Sequence, residues 1–178
     1  GVYIFGAQLE ELSYATSYIP TSGGTATRLA DVVDKDGLSS LIGQTEGTFF
    51  IDANFTNSIG DQTIFISTGR TDINDYIFIQ MNPASLLETG VVVNNIEIAR
   101  IGIEKPTGRY KCAIAYADNR FVFYVNGVLV GSDLSGSMSG FSADYINLNF
   151  NNNAYSLGAL QVFNTVLTDA ELTILTTI

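Results

Sequence analysis

The sequence predicts an all-β protein, a sandwich or barrel of roughly ten short antiparallel strands. Apolar residues recur with a period of two over most of the chain. Turn pairs, Asn94-Asn95, Asp118-Asn119 and Asn126-Gly127, punctuate those runs. Charged residues make up only 15% of a chain that is 46% hydrophobic, so Ser, Thr, Asn and Gly must supply the polar surface, a habit of β-proteins with long loops. With 178 residues the chain can bury one good core and is short for two ordinary domains.

Taken in order, Val2–Glu10 reads as a strand, and because both alternating faces of residues 2–7 carry apolar groups it needs a partner. The Gly/Ser/Thr-rich stretch that follows, with Pro20, Gly23 and Gly24, reads as a linker. Residues 1–30 are therefore expected to form an N-terminal strand and linker, and residues 31–178 the sandwich. Phe49–Phe55 places Phe49, Ile51, Ala53 and Phe55 on one face, and Thr63–Ser67 is a short apolar strand. Asp75–Asn82 sets Tyr76, Phe78 and Gln80 against Ile77, Ile79 and Met81. Val91–Val93 and Ile96–Ile103 flank the Asn94-Asn95 turn, and Arg109–Val130 is the clearest hairpin. Tyr145–Phe150 alternates strictly, with Tyr145, Asn147 and Asn149 opposite Ile146, Leu148 and Phe150; Ser156–Phe163 is the last strand. Thr168 followed by Glu171, with Leu172 and Leu175 behind them, marks a short C-terminal helical turn with a capping box.

Absent residue types exclude several chemistries. Without His there is no Ser-His-Asp triad and no His-ligated zinc. Cys112 is the one cysteine, expected in the core between Tyr110 and Ile114, which suits a reducing compartment. A net charge of −10, with eight dispersed basic residues, argues against nucleic acid and against an anionic membrane. The longest uncharged stretch, Tyr145–Thr168, holds six Asn and cannot insert in a membrane, and no basic segment precedes an apolar run as in a signal peptide. Asp31/Asp34/Asp36 and Asp72/Asn74/Asp75 are acidic clusters of the kind calcium accepts, but they lack a helix-loop-helix calcium pattern and read as solvated turns. No cofactor and no metal are expected.

Two segments carry a resemblance. Gly6–Asp31, G-A-Q-L-E-E-L-S-Y-A-T-S-Y-I-P-T-S-G-G-T-A-T-R-L-A-D, resembles a stretch common in bacteriophage tail-fibre and related virion proteins, where it joins an upstream domain to a following module. Residues 48–175 resemble the concanavalin A-like (laminin-G-type) module that often follows, above all in Y-V-N-G at Tyr124–Gly127 and L-T-D-A-E-L at Leu167–Leu172. The Trp that often opens that module's central strand is replaced here by Tyr110. The resemblance implies a concanavalin A-like jelly-roll sandwich of two antiparallel sheets. It also implies a place in the virion, assembled in the host cytoplasm, beside an upstream fibre domain and in a homotrimer that buries residues 2–12 between subunits.

Related folds include glucanases, whose carboxylates lie on one strand as E-x-D-x-E or E-x-D-x-x-E. Neither pattern occurs: Asp52 is alone in its strand, Glu97 and Glu104 have no Asp between them, and Asp169 and Glu171 belong to the helix cap. A non-enzymatic module is expected, binding a host-surface glycan; a structural or trimerising fibre domain without ligand is the alternative, and a glycan-cleaving enzyme the third reading. Sugar recognition needs an aromatic face with amide partners. Tyr145, Asn147 and Asn149, followed by Asn151, Asn152, Asn153 and Tyr155, have that composition and are the expected ligand-binding residues. Gly69–Tyr76, with Arg70, Asp72, Asn74 and Tyr76, is a second patch.

Overall fold

The computed structural model describes residues 1–2, 6–9, 18–27, 33–55, 62–71, 73–82, 86–104, 108–149 and 155–178. They form eleven strands and one helix: β1 (Val33–Lys35), β2 (Glu46–Phe55), β3 (Gln62–Ser67), β4 (Tyr76–Met81), β5 (Leu86–Val93), β6 (Ile96–Glu104), β7 (Arg109–Ala117), β8 (Arg120–Val125), β9 (Val128–Asp133), β10 (Tyr145–Asn149), β11 (Tyr155–Phe163) and α1 (Asp169–Thr176). The first sheet has six strands in the order β1-β10-β3-β4-β5-β6, the second five in the order β11-β2-β7-β8-β9. Every pairing is antiparallel.

Alternation decides what each sheet buries. The first contributes Ile64, Ile66, Ile77, Ile79, Met81, Leu87 and Val91; the second contributes Phe49, Ile51, Tyr110, Cys112, Ile114, Tyr116, Phe121 and Phe123, and together they make one core. Cys112 is fully buried in it, as expected, and burial pushes its thiol far above the ordinary range. The polar end of Tyr116 is satisfied by donating to the Gly43 carbonyl at 2.9 Å.

Turn chemistry explains the hairpins. Asn94 and Asn95 both have positive φ (50° and 62°), as do Asn126 and Gly127 (50° and 80°), the backbone that two-residue hairpin turns require. The Asn126 side chain also accepts from the Lys111 amide at 2.9 Å, so this turn is tied into β7.

The outward face of the second sheet has its own cover. Phe50, Ala113, Ala115, Val122 and Tyr124 pack with Leu172 of α1. Buried Thr48 pins the segment leading into α1, donating to the Thr165 carbonyl (3.1 Å) and accepting from the Leu167 amide (3.0 Å). Thr168 and Glu171 complete both halves of the expected capping box.

Three sequence expectations change. β5 starts at Leu86 rather than Val91 and carries Glu88 within the ladder. Asp34 lies on strand β1 rather than in a solvated turn. Asp75 is 5% exposed and accepts from the Asn94 and Ser142 amides (2.6 and 3.2 Å), so it joins loops at one end of the sheet instead of facing solvent.

Residues Gly1–Ala30 form a separate compact unit from Asp31–Ile178. Within the first unit the Ile19 amide donates to Gln8 Oε1 at 2.8 Å. Of the strand expected over Val2–Glu10, Val2 and residues 6–9 carry no strand structure, and residues 3–5 and 10 lie outside the described residues.

Candidate functional site

Two of the four sheet faces form the core and α1 covers part of the third. Among the described residues no helix lies on the outward face of the six-stranded sheet, whose side chains range from buried (Ser67, Phe78, Val92, Tyr145) to exposed (Arg100). Register assembles it from rows that run across the strands. One row is Asp34, Asn147, Phe65, Phe78, Gly90 and Arg100. On one side of it lie Tyr145, Ser67, Tyr76, Val92 and Glu97; on the other lie Asn149, Thr63, Gln80, Glu88 and Gly102. A face that alternation turns away from the core thus carries four aromatic rings among amides, hydroxyls and paired charges.

A cavity of about 380 Å³ opens on this face, lined by Thr63, Phe65, Ile73, Tyr76, Phe78, Gln80 and Arg100. Phe65, Tyr76 and Phe78 bring three aromatic rings to it, the first two half-buried and Phe78 only 3% exposed. Tyr76 and Phe78 stand with ring centroids 6.0 Å apart, and the Arg100 guanidinium lies 5.3 Å above the Phe78 ring. Gly90 makes room for that ring, because a Cβ there would meet it at 2.6 Å.

The polar rim is held in place by its own bonds. Thr63 donates to Gln80 Oε1 (3.2 Å). Gln80 Nε2 (2.5 Å), Asn82 Nδ2 (3.1 Å) and Arg100 Nη1 (3.1 Å) all donate to Glu88 Oε1, which satisfies a carboxylate whose side chain is only 7% exposed. Arg100 also donates through Nε and Nη2 to Glu97 Oε2 at 2.9 and 2.7 Å. The bond to Glu97, followed by the attraction of Glu88 and Glu97 against the cost of burial, raises the Arg100 pKa and keeps it charged.

Of the residues the sequence put forward, Tyr145 is 1% exposed. Its hydroxyl donates to Asp34 Oδ2 (2.8 Å) and accepts from Asn147 Nδ2 (3.2 Å), and Arg70 covers its ring at 5.5 Å. Tyr145 therefore offers no open ring for stacking; it and Asp34 anchor Arg70, which pairs with Asp34 at 2.9 Å. Asn147 is half-buried on the same face, opposite Phe65. Asn149 shares that face by register opposite Thr63, and Tyr155 opens β11 opposite Phe55 on the other sheet. Asn151, Asn152 and Asn153 lie outside the described residues, as does Asp72 of the second patch. Tyr76 of that patch lies in the cavity, while Asn74 accepts from the Asn95 side chain at 2.7 Å. Among the described residues no cluster of three or more His, Cys, Asp or Glu is placed to hold a metal, and no helix is long and apolar enough to cross a membrane.

Sequence reasoning missed Thr63, Phe65, Phe78, Gln80 and Arg100. A usable signal existed in β4, where Tyr76, Phe78 and Gln80 stand opposite three core aliphatics: two aromatics on the non-core face of a strand point to a surface built to touch something.

No family model and no curated protein sequence matches this chain. Solved structures do resemble it. The CBM40 module of Ruminococcus gnavus IT-sialidase, bound to α2,3-sialyllactose, aligns with a TM-score of 0.56 at 15% identity, over 82% of this chain and 98% of the module. The heptameric SAP-like pentraxin of Limulus polyphemus aligns with a TM-score of 0.56 at 18% identity, over 75% of this chain and 70% of that one. The binding domain of botulinum neurotoxin serotype D/C aligns with a TM-score of 0.59 at 15% identity, over 74% of this chain and 36% of that one. At such identities the shared property is the fold: this chain is a concanavalin A-like jelly-roll β-sandwich with two antiparallel sheets and a short C-terminal helix.

Proposed function

We propose that the outward face of the six-stranded sheet binds a glycan without cleaving it. The observation that carries this reading is the cavity itself: half-buried Phe65 and Tyr76 beside the Thr63 hydroxyl, the Gln80 amide and the Arg100 guanidinium, with buried Phe78 beneath that guanidinium. Sugar rings present apolar C–H faces to aromatics and planar hydroxyl pairs to amides and guanidinium groups, and both partners are present here. The sialyllactose bound to the structurally similar CBM40 module supports the reading. Glycoside cleavage needs two carboxyl groups flanking the scissile bond. The residues that line the cavity include no carboxyl group, and the nearby Glu88 and Glu97 are engaged by Arg100, which supports binding without cleavage.

The tail-fibre resemblance of Gly6–Asp31 supports a host-attachment role on a virion fibre, with residues 31–178 as the glycan-binding sandwich at the end of a linker. On the same ground we propose a homotrimer that buries residues 2–12; a clean monomer by light scattering at micromolar concentration contradicts it. An array of neutral and acidic glycans and host-envelope polysaccharides tests the main reading. It predicts saturable binding that Tyr76→Ala weakens, with no release of reducing ends. Saturable binding unaffected by Tyr76→Ala contradicts the site, and reducing-end release contradicts the non-catalytic role.

A further inference from the structure

We infer that the cavity selects uncharged glycans over acidic ones, because Glu97 and Glu88 neutralise the arginine that would otherwise capture a sugar carboxylate or sulfate. The inference rests on the glycan reading above and specifies its ligand class. An arginine beside aromatic rings is well suited to hold an anion bidentately. Here each of its three nitrogens already donates to a carboxylate: Nε and Nη2 to Glu97 and Nη1 to Glu88. Three of the five N–H donors of an arginine are committed, and the other two suit hydroxyl or carbonyl oxygens of a neutral sugar.

The charge count points the same way. One guanidinium against two carboxylates leaves the Arg100 group at a net −1 (1 − 2). Arg70, on another part of this face, is compensated by Asp34. Thr63, Phe65, Tyr76 and Gln80 contribute no charge, and the chain as a whole carries −10. An anionic sugar therefore meets long-range repulsion and has to displace Glu97 before it can claim the guanidinium.

The backbone is shaped to make this pairing. In a regular strand, residues three apart point to opposite faces. Opposite Val91 and Val92, however, β6 presents Ala99 and Glu97, so Ile98 is an extra residue in a bulge. The bulge turns Glu97 onto the same face as Arg100, where the side chains close a two-bond pair. Without it Glu97 would point inward with Ala99.

The test measures binding of the wild-type chain to a panel of neutral probes (lactose, maltotriose, cellotriose, triacetylchitotriose) and acidic ones (3′-sialyllactose, trigalacturonate), at low and physiological ionic strength. The expected result is saturable binding of at least one neutral probe, with every acidic probe weaker by about tenfold or more and the gap narrowing as salt rises. Glu97→Gln is expected to raise the acidic-to-neutral affinity ratio about fivefold. Acidic binding as tight as the best neutral probe, abolished by Arg100→Met, overturns the selectivity and leaves the glycan reading standing. Failure of the folded protein to bind any probe counts against the glycan reading and removes the selectivity with it.

Discussion

Tyr76 and Tyr145 lie in one row across the outward face of the six-stranded sheet, with Ser67 between them, yet their surroundings give them opposite roles. Tyr76 is half-buried and borders the cavity. Tyr76→Ala is expected to weaken glycan binding by about 1–3 kcal/mol, the scale of losing an engaged aromatic anchor, with little change in melting temperature; titration calorimetry and a thermal melt check the two halves. Tyr145 is sealed by Arg70 and bonded to Asp34. Tyr145→Phe is expected to cost about 1 kcal/mol of stability, read by denaturant unfolding. Asp52 gives the molecule an acid-side signature. Its carboxylate, 5% exposed, receives Nε and Nη2 of Arg109 at 2.6 and 2.5 Å, and that bond holds its pKa below the ordinary carboxylate range against the effect of burial. A folded-state pKa below the unfolded one contributes stability that is present above about pH 4 and is lost as the pH falls through the lower folded value. The melting temperature of Asp52→Asn is therefore expected to fall less steeply than that of the wild type below about pH 4.

At the scale of elements, α1 is more than a chain end. Its Leu172 is fully buried against Phe50, Ala113 and Val122. Leu172→Ala is expected to cost about 2–4 kcal/mol and Thr168→Ala about 1 kcal/mol through loss of the cap, both measurable by urea unfolding. The helix was legible because a capping box is a local code four residues long. The β7–β8–β9 meander was equally legible, since Asp118-Asn119 and Asn126-Gly127 announce the turns between strongly alternating runs. β1 was not: three residues with two charges carry too little periodicity, and Val33–Lys35 is a strand only because β10 lies beside it. The early start of β5 was hidden by Glu88, a poor strand former whose place is secured by Gln80, Asn82 and Arg100 from outside its own strand. The β6 bulge was hidden too, because alternation read through Ile98 without interruption assigns Glu97 to the core side.

Across the whole molecule, the alternation of core residues specified the sandwich, whereas the site depended on register. Thr63, Phe65, Tyr76, Phe78, Gln80 and Arg100 come from three strands, and each looks like an ordinary outward strand residue until β3, β4, β5 and β6 are laid side by side. The sequence directed attention to the Asn-rich segment after β10 because composition is visible there; the cavity lies in the middle of the same sheet, where no local motif marks it. The proposed ligand site is this sheet face. Amide chemical-shift mapping, during titration with the neutral probe that binds best, tests it most directly. Saturable shifts are expected to concentrate on Thr63–Phe65, Tyr76–Gln80 and Glu97–Arg100, with the α1 side of the molecule unmoved. Saturable shifts centred on the face covered by α1, or spread over the edge strands with the cavity silent, would contradict it.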